Sequence, residues 1–61
     1  MNAPVIKYFT RDEAVAELDK LRLQLGLSDE EAARRARNYE LSGPELGLWE
    51  RISDLRWLIG R

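Results

Sequence analysis

Ser28-Asp29-Glu30-Glu31-Ala32-Ala33-Arg34-Arg35-Ala36-Arg37 decides the fold, because it writes a helix with both of its ends marked. Ser28 is a side chain that can accept a hydrogen bond from the amide three residues on. Glu31 stands where its carboxylate can reach back to the Ser28 amide, the reciprocal capping box of a helix start. Carboxylates then crowd the first turn and guanidiniums the last, the arrangement that complements the helix macrodipole. The same signature lies on both sides. Upstream it reads Phe9-Thr10-Arg11-Asp12-Glu13-Ala14, and downstream Leu41-Ser42-Gly43-Pro44-Glu45-Leu46. Each copy places an apolar residue before the cap and another at the fourth helical position, where the two can pack as a hydrophobic staple. Three starts, each leading into a helical apolar pattern, predict three helices beginning at about Arg11, Asp29 and Gly43.

The stops follow from backbone chemistry. Gly26 comes directly after Leu25 and Gly60 directly after Ile59, each suited to the left-handed residue that closes a helix. The second helix has no glycine, so Asn38 is the expected left-handed stop. Pro44 falls in the first turn of the third helix, where a missing N–H costs little. These marks predict an all-α, compact three-helix domain over 10–61, with helices at about 11–25, 29–38 and 43–59. Connections of two or three residues force neighbouring helices to pack on one another.

Steps of 100° per residue give the faces. Ala14, Leu18, Leu21 and Leu25 form one stripe on the first helix. Leu48, Ile52, Leu55 and Ile59 form the matching stripe on the third. The second helix offers only Ala32, Ala33, Ala36 and Tyr39, so it is expected to act as a thin brace. Leu18, Leu21, Leu25, Ile52, Leu55 and Ile59 are the predicted core. Pairs four residues apart, Glu30 with Arg34 and Glu31 with Arg35, are expected on the solvated side of the brace. Residues 1–9 read differently. Pro4 heads a β-branched and aromatic run, Val5-Ile6-Lys7-Tyr8-Phe9, expected to be a short extended arm.

Composition narrows the function. The chain has 61 residues, no Cys and no His, which removes disulfides, thiolate metal sites and the usual general base. Asp29, Glu30 and Glu31 splay apart on a first helical turn and do not converge on a metal ion. Ser28 and Ser42 are caps, and no serine has a base beside it. Gly43-Pro44 lacks the glycine spacing and the lysine of a phosphate loop. The expectation is therefore a protein that is not an enzyme, with no cofactor, no metal and no small-molecule substrate. No apolar run approaches the roughly 20 residues of a membrane span, and the first ten residues lack a secretory signal's apolar stretch, so a cytoplasmic location is the default.

What remains is association. Ten basic and eleven acidic residues leave a net charge of −1, which creates no long-range attraction for nucleic acid or an anionic membrane. Yet the apolar surface exceeds what one core face of the third helix needs. Leu46, Ser53 and Trp57 lie away from the main stripe, and Trp49 flanks it. Trp57 either packs on the N-terminal arm or belongs to an interface, the role for which tryptophan is most enriched. The reading is a protein-interaction module that self-associates, preferably as a homodimer, or binds an unidentified protein. The expected surface is Leu46, Trp49 and Trp57 with the arm residues Val5, Ile6 and Tyr8. Small regulators such as antitoxin-like inhibitors and phage-encoded effectors share this size, which is an argument from size and not from a motif.

The alternative is a small dimeric helix-turn-helix DNA-binding regulator, contacting phosphates through Lys7 and the cluster Arg34, Arg35 and Arg37. Its would-be reading segment, Gly43 to Leu48, is acidic and apolar and holds no side chain suited to a base edge.

Overall fold

The computed structural model describes residues 10–60 and contains three α-helices and no strand among them. They are α1 (Arg11–Leu25), α2 (Asp29–Arg37) and α3 (Gly43–Gly60). The expected arm at residues 1–9 lies outside the described residues.

The starts form as local chemistry dictates. At Thr10 the hydroxyl accepts from the Glu13 amide at 3.1 Å, and the Thr10 amide donates to Glu13 Oε1 at 2.9 Å. Ser42 and Glu45 repeat the exchange at 3.2 and 2.9 Å. At α2 only half of it forms. The Ser28 hydroxyl accepts from the Glu31 amide at 3.1 Å. The Glu31 carboxylate turns instead to Arg34 and Arg35. Two guanidiniums within one turn outcompete a single backbone N–H for the same anion. The expected pairing of Glu30 with Arg34 is replaced by Glu31 with Arg34 for the same reason.

The ends correct two expectations. α1 closes as anticipated, with Gly26 left-handed at φ 75° and its amide donating to the Arg22 carbonyl at 2.9 Å. α2 closes on Tyr39 at φ 58°, while Asn38 stays at φ −97°. The Glu40 amide donates to the Arg35 carbonyl at 2.8 Å and the Tyr39 amide to the Ala36 carbonyl at 3.2 Å. That pair of bonds is the Schellman motif, whose geometry requires the left-handed residue one position beyond the cap. The helix ends at Arg37, so the position falls to Tyr39 whatever its side chain prefers. Tyr39 is accordingly 95% exposed and not part of the inner face of α2. Gly60, expected as a left-handed stop, is the last helical residue of α3.

α1 and α3 make the body of the core. Ala14, Leu18, Leu21 and Leu25 from α1 are buried against Ile52 and Leu55 from α3. α2 adds only Ala32, whose small side chain lets the helices approach closely. Leu27, Leu48, Trp49, Leu58 and Ile59 pack around this cluster, partly buried. Ile59, expected in the centre, sits at its margin. The stripe it belongs to outruns α1, which ends at Leu25.

Two cross-links set the helix directions. Arg51 on α3 pairs with Glu17 on α1 at 3.2 Å, and Arg22 and Arg56 meet at Asp29. Moving from Glu17 to Arg22 advances the contact from Arg51 to Arg56, so α1 and α3 run the same way. α2 is the return stroke between them, starting near Arg56 and carrying the chain back to the N-terminal end of α3.

Replacing Leu55, 1% exposed, by Ala should cost on the order of 2–5 kcal/mol. A small domain has little more than that in total, so the variant should lose its cooperative thermal transition in circular dichroism. Ser42→Ala should cost about 1 kcal/mol through its lost cap, measured by urea denaturation.

Candidate interaction surface

Asp29, at the first position of α2, sits where the three helices meet. Arg22 Nε donates to one carboxylate oxygen at 3.0 Å and Arg22 Nη2 to the other at 2.5 Å. Arg56 Nε stands 3.5 Å from the second oxygen. One carboxylate thus joins all three helices, and its position at a helix N-terminus adds a favourable dipole. The bond to Arg22, helped by both guanidinium charges, holds the Asp29 carboxyl below its ordinary value against the opposing effect of partial burial. Arg34, then Arg35, bring the Glu31 carboxyl from 4.5 to about 2. Among the described residues no buried side-chain polar atom lacks a partner.

This node is structural. It occupies the acidic turn considered above for metal binding, and two guanidiniums already saturate the carboxylate. Asp29 was not foreseen in this role. Its signal lay in the connection: a last-turn arginine and a first-turn aspartate, separated by a three-residue turn, must meet when the helices pack back to back.

The basic cluster is largely committed as well. Arg34 Nη2 lies 2.5 Å from Glu31 and Arg35 Nε 2.7 Å from the same oxygen. Arg37 makes no ion pair among the described residues, and Lys7 lies outside them. Pro44 and Gly47, in the segment a helix-turn-helix would offer to bases, are exposed.

Among the described residues the large apolar side chains left at the surface are Leu23 at 84% exposure, Tyr39 at 95%, Leu46 at 39% and Trp57 at 67%. Leu23 was not singled out in the sequence. It sits opposite the core stripe of α1 between Asp19, Lys20 and Gln24, and a lone exposed leucine is ordinary. Leu46 and Trp57 differ because they share a helix face. Steps of 100° put Leu46, Glu50, Ser53 and Trp57 within an arc of about 60°, turned away from Ile52 and Leu55. Trp49, expected beside them, packs against the core. Val5, Ile6 and Tyr8 lie outside the described residues. The outer face of α3 therefore carries two apolar anchors with Glu50 between them and Asp54 at its edge. Neither acid makes an ion pair among the described residues.

No described helix is long and apolar enough to cross a membrane. No protein-family model, characterised protein or solved structure matches this chain.

Acid should loosen the molecule in a defined window. Asp29 and Glu31 have lowered carboxyl values in the folded chain, so their stabilisation is complete above their ordinary values of 3.8 and 4.5. It is lost as pH falls from about 4.5 toward 2, which a series of urea melts will show. Asp29→Ala should lower stability at neutral pH by on the order of 1–3 kcal/mol and flatten part of that dependence.

Proposed function

We propose that this protein is a non-catalytic interaction module that associates with a second copy of itself through the outer face of α3. The observation that carries the reading is Trp57, 67% exposed on a face it shares with Leu46. Tryptophan is the residue whose truncation most often costs an interface its affinity, and a face with two apolar anchors costs free energy while it stays in water. The core gives a second support. Among the described residues only seven are buried, one of them from α2, so the domain gains from covering further apolar surface. A two-fold dimer is the simplest cover, since one patch then serves both partners. The arm residues Val5, Ile6 and Tyr8 are assigned to the interface from the sequence alone, and a larger protein using the same face is the other occupant to be tested.

Sedimentation equilibrium across a dilution series should show a monomer–dimer transition. Trp57→Ala should weaken it by about 2 kcal/mol, roughly thirtyfold, with helix content unchanged. Removal of residues 1–8 should act in the same direction. A single monomeric mass at high concentration would contradict self-association.

A further inference from the structure

We infer that α2 is a strap latched by Asp29, which undocks and melts as a unit while α1 and α3 stay packed. Its hold on the rest of the molecule is narrow. Ala32 is its one buried side chain, with Ala33 and Ala36 half-buried beside it. Among the described residues, every ion pair between α2 and another helix ends on Asp29, through Arg22 of α1 and Arg56 of α3. The other pairs of α2 are local. Glu31 binds Arg34 and Arg35, and Arg34 approaches Glu40, so these bonds fasten α2 to neither of the larger helices.

The pairing of α1 with α3 does not depend on α2. Ala14, Leu18, Leu21 and Leu25 are buried against Ile52 and Leu55, and Arg51 meets Glu17 at 3.2 Å across the same contact. All of these survive when α2 leaves. The connection is also long enough. α1 ends beside the far end of α3, so residues 26–42 must span about 25 Å to reach the start of α3. Fully extended they reach about 55 Å, so the chain can lose α2 without pulling its neighbours apart.

Two features make the release all-or-none. α2 has 9 residues, fewer than the roughly 12–15 at which an isolated helix becomes marginal in water. Once undocked it therefore loses its backbone hydrogen bonds together. Tyr39 adds stored strain at its end. It holds a left-handed backbone at φ 58°, a conformation costly to a residue with a Cβ, and its exposed side chain gains no burial in return. That conformation is needed only while α2 is helical, and melting relaxes it.

Amide hydrogen exchange of the full chain, followed residue by residue by NMR and normalised to intrinsic rates, tests the inference. Amides of residues 33–37 should exchange at least about tenfold faster than those of Leu21 and Leu55. Ile52→Val trims a contact that survives the release. It should speed the α1 and α3 amides roughly fivefold and leave those of α2 unmoved. Asp29→Asn should speed the α2 amides together, roughly tenfold. Equal protection in α2 and the core, or an Ile52→Val variant that speeds all three helices alike, would overturn the strap, because α2 would then open only with the whole chain. Amides of α2 indifferent to Asp29→Asn would overturn the latch.

Discussion

The packing of α1 on α3 is the constraint on which the rest of the molecule depends. Leu18, Leu21 and Leu25 meet Ile52 and Leu55, and nearly all the fully buried apolar volume lies in that contact. Burial is non-directional, so it explains why two helices adhere but not where the third one goes. α2 brings one buried alanine and could not hold its place on that alone. Its position comes from directional bonds: a cap at Ser28, a Schellman closure at Tyr39, and above all Asp29, which grips arginines on both larger helices. Losing Asp29 would leave the part-buried Arg22 guanidinium without its carboxylate, so this link is costly to break.

The parts of the fold legible in the sequence are those decided within a few residues. Caps at Thr10, Ser28 and Ser42, the glycine closure at Gly26 and the stripe on α1 depend on neighbours one turn away, and they appear as read. The misreadings arise where two local rules compete. Glu31 could serve its own helix cap or two arginines, and charge decides. Asn38 suits a left-handed backbone better than Tyr39 does, but the register of the closing hydrogen bonds leaves no choice. Contacts between helices were the least legible. Nothing in the spacing of Arg22, Asp29 and Arg56 shows that they converge until the directions of the helices are known. The surface was partly legible: helical periodicity sets Leu46 and Trp57 on one face, but does not show that Trp49 turns inward.

A small core and an exposed indole are two sides of one economy. A chain of this length has few positions to bury, and a tryptophan on the outer face of α3 leaves apolar area outside the three-helix core. On this account stability, surface and association follow from the same shortage of core.

The most direct test of that account is residue-resolved amide chemical shifts of the unmodified protein, followed by NMR on dilution. The account predicts concentration-dependent shifts centred on Leu46, Glu50, Ser53 and Trp57, with Leu23 and its neighbours on α1 unmoved. A spectrum that does not change with concentration, or shifts centred on Leu23, would contradict it.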